Sequence, residues 1–238
     1  FSISHSHFDH LGNGNLFKGS TFIVNEAERD SRVLQEVQDA LRRIEAGTFL
    51  LAAAITRSTL TVGPVITDHL GAVLTKLEEV GCRLEMDGTG LTISASQIKA
   101  VDLRTQPFPG FPTDLQAPFM SLLATAQGTS VITENIFENR LQHVAELQRM
   151  GAAIRMQGNT AFVEGVSRLS GAPVQGSDLR AAAAMVLAGL AADGITTVQG
   201  LEFLELWINQ CRCWKNLGNR ILRFKAVAID FPKEVLPT

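Results

Sequence analysis

The chain has 238 residues, 45% of them hydrophobic, and a formal net charge of −3, so it is long and apolar enough for one or two domains with a real core. No dense Lys/Arg cluster interleaved with aromatics is present, which argues against nucleic acid as a partner, and the longest apolar stretches, Phe49 to Ile55 and Ala181 to Ala192, are too short to cross a bilayer. Three cysteines, Cys82, Cys211 and Cys213, fit a reducing cytoplasm better than a disulfide framework, and Cys211-x-Cys213 lacks a zinc-site spacing.

Residues 1–30 differ in composition from the rest of the chain. No secretory leader pattern opens them, and the chain begins at Phe1 rather than Met. Three of the five histidines fall in His5-Ser-His-Phe-Asp-His10. Histidines at i and i+2 followed by Asp-His, in a loop after a strand, turn alternate imidazoles and a carboxylate toward two neighbouring metal ions. With Leu11-Gly-Asn13 and Phe22-Ile-Val-Asn-Glu26 behind it, the segment resembles the metallo-β-lactamase superfamily, most closely its lactonase-like hydrolases. The resemblance implies that His5 and His7 bind one zinc while Asp9 and His10 bind the other. A hydrolase of that kind would hold about two equivalents of zinc and lose lactone hydrolysis on His7→Ala. The resemblance stops near residue 30, and the remaining histidines, His69 and His143, fall in predicted helices. The expectation is therefore a fragment from a neighbouring or fused gene, with weak zinc or nickel affinity.

Residues 31–44 place Val33, Leu34, Val37, Ala40, Leu41 and Ile44 on one stripe, which predicts a linker helix lying on the domain surface. From residue 45 one unit is written three times. Its middle copy reads as an apolar helix (Leu115 to Ala126), a Gly128 stop, a short β run (Ser130 to Thr133), an amphipathic helix (Arg140 to Met150) and Gly151. A hairpin then joins Ala153-Ile-Arg-Met156 to Thr160-Ala-Phe-Val163 through Gly158-Asn159. Val62, Val131 and Val198 close the three first β runs, and Gly81, Gly151 and Gly218 end the three amphipathic helices, at a period of 67 to 70 residues. Each first helix opens on an acid: Glu45, Asp114 or Asp178. Thr113-x-x-Gln116 has capping-box spacing, and the positive end of a helix favours a carboxylate at Asp114. Phe49 to Ile55 and Ala181 to Ala191 have no polar face, so these helices are expected to be buried on every side. The second helices carry a solvated face, Lys76, Glu78 and Glu79 in the first unit. A period this long, mixing helix and sheet, predicts a compact pseudo-symmetric α/β domain rather than an open solenoid.

Several motifs agree in order with one family. Arg43-Ile-Glu-Ala-Gly-Thr-Phe-Leu50, Ala100-Val-Asp-Leu-Arg-Thr105, Pro109-Gly-Phe-Pro-Thr-Asp-Leu-Gln116, Ile132-Thr-Glu-Asn-Ile-Phe-Glu-Asn-Arg140, Glu146-Leu-Gln-Arg-Met-Gly151 and Leu169-Ser-Gly-Ala-Pro-Val174 carry the likeness, with Ser177-Asp-Leu-Arg180 and Leu187-Ala-Gly189. Over residues 43–204 the chain resembles the bacterial UDP-N-acetylglucosamine 1-carboxyvinyltransferases, members of the enolpyruvyl transferases. The resemblance implies an α/β (α+β) domain of three βαβαββ-type repeats with buried helices, here about 45–103, 111–167 and 178–230. It would form a domain over 45–230, after the fragment 1–30 and the linker 31–44 and before a tail at 231–238.

The implied reaction moves the enolpyruvyl group of phosphoenolpyruvate onto the 3-hydroxyl of UDP-N-acetylglucosamine, in peptidoglycan synthesis, without a cofactor. By this resemblance Asp114 is the catalytic residue that hydrogen-bonds the sugar hydroxyl and takes its proton; a carboxylate at a helix start accepts a hydrogen bond better than it removes a proton, so orientation is the stronger expected role. Ile136 makes a backbone contact to the nucleotide sugar and Arg140 borders it. Asp178 and Arg180 lie near phosphoenolpyruvate, where a guanidinium offers paired donors to a carboxylate or phosphate. The family's reactive cysteine, its lysine-asparagine pair and further arginines belong to a partner domain that the chain does not match. Where the family has Asp-Arg-Gly-Tyr this chain has Glu205-Leu-Trp-Ile208, and Lys215-Asn-Leu-Gly218 returns in phase. Weak or no transfer by the chain alone is expected. A nucleotide-sugar-binding remnant and the zinc hydrolase are the alternatives.

Overall fold

In a computed structural model of the protein, residues 31–63, 65–88, 90–200 and 227–229 are described. The expected zinc ligands His5, His7, Asp9 and His10, the fragment 1–30, the Glu205-Leu-Trp-Ile208 departure and the tail 231–238 lie outside the described residues. In chain order the elements are α1 (Ser31–Ile55), β1 (Thr59–Val62), α2 (Gly71–Glu79), β2 (Arg83–Asp87), β3 (Gly90–Ser94), β4 (Leu103–Arg104), α3 (Gln116–Leu123) and β5 (Thr129–Thr133). They continue with α4 (Val144–Arg149), β6 (Ala153–Gln157), β7 (Thr160–Glu164), β8 (Leu169–Ser170), β9 (Pro173–Gln175), α5 (Leu179–Ala191), β10 (Ala192–Asp193), β11 (Thr196–Gln199) and β12 (Val227–Ile229).

Three apolar helices fill the centre. Every residue of α3 is buried, as is α5 from Ala181 to Gly189, because a helix without a polar face must find apolar neighbours all round. Each of α1, α3 and α5 packs on the other two. Ser121 donates from Oγ to the Ala184 carbonyl at 2.9 Å, tying α3 to α5. On α1, Gly47 lets the turn ahead of α3 come close: a Cβ there would stand 2.4 Å from Leu115 Cδ1. Burying a leucine such as Leu50, Leu115 or Leu122 stabilises by about 1.5–3 kcal/mol. The outer helices bury only a stripe, Val73 and Leu77 of α2 and Val144 and Leu147 of α4. Both stop at a left-handed glycine, Gly81 (φ 105°) and Gly151 (φ 88°).

Between the inner and outer helices lie the sheets β1-β3-β2 and β4-β5-β7-β6. Alternation turns Leu91 and Ile93 of β3, Ile132 of β5, and Ala161 and Val163 of β7 into the core. The hairpins close at Asp87↔Gly90 and Gln157↔Thr160. After each hairpin the chain crosses to the next unit: β4 runs parallel to β5, and β9 parallel to β11. These crossovers join successive units through shared sheets. β12 pairs parallel with β11, whereas β3 and β7 pair antiparallel with β1 and β5.

Several expectations are corrected. α1 is continuous from Ser31 to Ile55, so the linker helix expected over 31–44 and the first repeat helix are one element, and Glu45 lies inside it rather than at its start. Ile44 and Ala46 are both buried, so the apolar side carries on across the expected junction. The expected capping box does not form. Thr113–Leu115 is a 3-10 turn entered at Pro112 with no side-chain cap. Thr113 donates instead to Glu134, and Gln116 is buried with no hydrogen bond on Nε2 among the described residues. The two helices of the middle unit are also shorter than their apolar patterns, at 116–123 and 144–149. Among the described residues, no helix is long and apolar enough to cross a membrane, and no group of three or more metal-ligating side chains comes together.

Candidate functional site

Asp114 stands in the 3-10 turn that leads into α3, Arg180 in the first turn of α5, and Arg140 in the turns that precede α4. The three meet because α3 and α5 lie side by side and point their starts to one end of the domain. Arg180 donates from Nε to Oδ1 of Asp114, and Arg140 donates from Nη1 to the same oxygen at 3.2 Å. Asp114 and Arg140 are 15% and 14% exposed, so the contact sits in a recess where charge pairs are less screened than on an open surface. Arg140 also donates to Thr113 Oγ1 at 3.1 Å and lies 4.1 Å above the Phe137 ring. Burial, followed by the neighbouring Arg180, lowers the pKa of Arg140, while Asp114, Glu134 and Asp178 oppose the shift.

A third guanidinium enters from α1. Arg43 lies over the Phe108 ring at 5.3 Å, and Phe108, 62% exposed, meets His69 edge-on. Arg43 Nε is buried and has no hydrogen bond among the described residues. Burial lowers its pKa and the Asp114 charge opposes the shift.

Asp178 is the N-cap of α5, its Oδ1 accepting the amides of Arg180 at 2.7 Å and Ala181 at 3.0 Å. Its capping role is therefore visible, and its charge also reaches Arg140 and the buried His143. Burial pushes the His143 imidazole down to about 4, against Asp178 and a hydrogen bond with the backbone of Arg140. Ile136 follows β5, and its amide donates to Glu134 Oε1 at 2.9 Å.

The structure thus brings Asp114, Arg140 and Arg180 into direct contact and sets Asp178 and Ile136 beside them. Sequence reasoning did not single out Arg43, Thr113 or His143 as site residues, nor the buried Glu134 that organises the loop. Arg43 and Glu134 stood inside matched motifs, but an acid flanked by Thr133 and Asn135 gives no sign that it is buried. A cavity of ≈ 410 Å³ opens elsewhere, between α2 and β4, lined by Thr75, Lys76, Asp102 and Arg104 among others. In the Asp114–Arg140–Arg180 contact, by contrast, the side chains are 14–20% exposed, so two cations are held against one acid largely away from bulk water.

Residues 36–206 match the profile of the EPSP synthase (3-phosphoshikimate 1-carboxyvinyltransferase) family. The chain belongs to this family. Among its EPSP synthase-family relatives, the UDP-N-acetylglucosamine 1-carboxyvinyltransferase of Parasynechococcus marenigrum (strain WH8102) is 74% identical over 162 residues, 68% of this chain and 37% of the relative. That of Prochlorococcus marinus (strain MIT 9313) is 64% identical over 182 residues, 76% of this chain and 42% of the relative. The chain therefore spans about two fifths of the length of these curated relatives. Among solved structures, the enolpyruvyl transferase NikO from Streptomyces tendae superposes with a TM-score of 0.65 at 24% identity, covering 77% of this chain and 42% of that one. EPSP synthase from Acinetobacter baumannii gives 0.50 at 20% identity, covering 68% and 38%. The two structures bear on the fold, which is the mixed α/β arrangement of the enolpyruvyl transferases.

Proposed function

We propose that this chain supplies one wall of an enolpyruvyl transfer site, acting on phosphoenolpyruvate and the 3-hydroxyl of UDP-N-acetylglucosamine in the cytoplasm. The observation that carries this reading is the sharing of Asp114 Oδ1 by Arg140 and Arg180, with Arg43 close by. The names and identities of the relatives support it.

The chemistry follows from the groups in the recess. Oδ2 of Asp114 has no hydrogen bond among the described residues, so it accepts the hydrogen of a sugar hydroxyl and aims that oxygen at its target. In the transfer, that oxygen bonds to the enolpyruvyl carbon, the bond from that carbon to the phosphate oxygen breaks, and inorganic phosphate departs with the bonding electrons and, in the net balance, the proton the hydroxyl gives up. A carboxylate already held by two guanidinium groups orients a hydroxyl better than it removes its proton, so positioning is the main contribution of Asp114. Arg140, Arg180 and Arg43 offer planar donor pairs to the phosphate or carboxylate of the second substrate, and in a recess shielded from water these contacts strengthen. In this reading the reaction uses no metal and no prosthetic group. The chain matches less than half of each relative, so transfer by the chain alone is expected to be weak or absent.

Calorimetry of the 238-residue chain with UDP-N-acetylglucosamine is the test. Binding with a Kd of about 1 mM or tighter, lost on Asp114→Ala, supports the reading. Binding that is absent, or indifferent to Asp114→Ala, removes it.

A further inference from the structure

Glu134 is 2% exposed and uses its carboxylate on four donors. Oε1 accepts Thr105 Oγ1 at 2.8 Å, the Ile136 amide at 2.9 Å and the Phe137 amide at 3.3 Å, and Oε2 accepts Thr113 Oγ1 at 2.9 Å. The donors come from three segments: the end of β4, the turn before α3 and the loop after β5. A buried acid is retained where donors replace its lost water, and here each oxygen is satisfied.

The polarity of these bonds matters more than their number. A carboxylate accepts and does not donate, so both threonine hydroxyls must turn their proton toward Glu134. Each hydroxyl then has its lone pairs free for an incoming N–H. Thr105 Oγ1 takes the Asn135 amide at 2.8 Å, and Thr113 Oγ1 takes Nη1 of Arg140 at 3.1 Å. The same Nη1 reaches Asp114 at 3.2 Å. One acid therefore fixes the amides of Ile136 and Phe137 directly, that of Asn135 through Thr105 and, through Thr113, the guanidinium that holds Asp114.

We infer that Glu134 is a positioning residue coupling the loop around Ile136 to the Arg140–Asp114 contact, so that the two sides of the recess are set by one buried carboxylate. Its relevance to transfer rests on the proposed function, but the coupling itself is a property of this chain. Glutamine at this position separates the two arms. Its carbonyl oxygen still accepts the loop amides, whereas its amide nitrogen meets Thr113 with a donor. The Thr113 hydroxyl then loses its acceptor, and the hold on Arg140 loosens.

The experiment uses Glu134→Gln, Thr113→Val, their combination and Glu134→Ala in the full chain. Amide hydrogen exchange at Ile136 and Phe137, Arg140 guanidinium rotation by NMR and UDP-N-acetylglucosamine affinity are the readouts. Expected for Glu134→Gln and for Thr113→Val are amide exchange within about twofold of the parent, faster Arg140 rotation and affinity lower by about tenfold. The double variant should lose no more than either single one, because both break the same path. Glu134→Ala should in addition speed exchange at Ile136 and Phe137 by about tenfold or more. Arg140 motion unchanged in Thr113→Val, or a double variant showing the full product of the two single losses, overturns the coupling. If Glu134→Ala does not fold, the Gln and Val variants decide alone. If the parent chain binds no nucleotide sugar, the functional reading falls while exchange and Arg140 rotation still decide the role of Glu134.

Discussion

Arg180 donates from Nε to Oδ1 of Asp114, a residue 66 positions earlier in the chain. The bond joins the first turn of α5 to the turn before α3, and Arg140 shares the same oxygen. The acid that orients a substrate hydroxyl in the proposed reaction is thus also what keeps two guanidinium groups together.

Asp114→Asn keeps the shape and removes the charge. Arg140 and Arg180 then face each other without compensation, and a free anion takes over the vacated role. Affinity for inorganic phosphate should rise about fivefold, equivalent to about 1 kcal/mol after allowing for partial exposure of the pair. The thermal midpoint should fall by about 2–4 °C. Titration calorimetry and a melting curve check both; phosphate affinity equal to the parent's would count against an anion site here.

His143 predicts how stability depends on pH. Its folded pKa is about 4, below the ordinary 6.5, because burial disfavours the charged ring. The unfolded chain therefore binds the proton more readily, so the contribution is present in full above pH 6.5 and is lost as pH falls toward 4. About 2 kcal/mol should disappear between pH 7 and pH 5. Urea denaturation at the two pH values measures it, and in His143→Asn this difference should shrink by most of that amount. An equal pH dependence in both proteins would mean that the ring is not held neutral.

Arg57 closes α1 in the left-handed region, φ 53°, and its guanidinium reaches across to the end of α3. It donates to the carbonyls of Ala54 at 2.8 Å and Thr125 at 3.0 Å. Arg57→Ala should destabilise by about 2–3 kcal/mol, and Arg57→Gly by about 1 kcal/mol less, since glycine adopts this φ without strain. Equilibrium unfolding gives the ranking; alanine proving the milder change would contradict the account.

Two glycines should respond with opposite signs. A Cβ on Gly165 would stand 1.6 Å from the Ala126 carbonyl oxygen, whereas nothing lies within 4 Å of one on Gly71, at the start of α2. Gly165→Ala should destabilise by about 3 kcal/mol or more through backbone displacement. Gly71→Ala should stabilise by about 0.5–1 kcal/mol through helix propensity. Melting curves of the two variants check the contrast.

Much of the architecture was legible because its signals are local. The apolar run from Ala181 onward has no polar face, and a helix of that kind is buried wherever it is placed. Gly81 and Gly151 stop their helices because φ values of 105° and 88° favour glycine. Gly158-Asn159 joins the expected hairpin, which closes at Gln157↔Thr160. The failures were failures of partnership. Thr113 and Gln116 have the spacing of a capping box, yet a buried acid 21 residues later draws the threonine hydroxyl away. Glu45 looked like the start of a helix because it stands where Asp114 and Asp178 open theirs, but the residues on both sides belong to α1.

By itself the sequence determined the buried helices and the chemical identities of Asp114, Arg140, Asp178 and Arg180. Only the tertiary structure decided that Arg140 and Arg180 share one oxygen of Asp114, that Asp178 caps its own helix, and that Glu134 ties the loop to the recess. Periodicity is read from neighbours within a few positions, because one helical turn or one pleat fixes which way a side chain points. A hydrogen bond between residues 66 apart depends instead on how three helices settle against one another, and no local pattern encodes that distance.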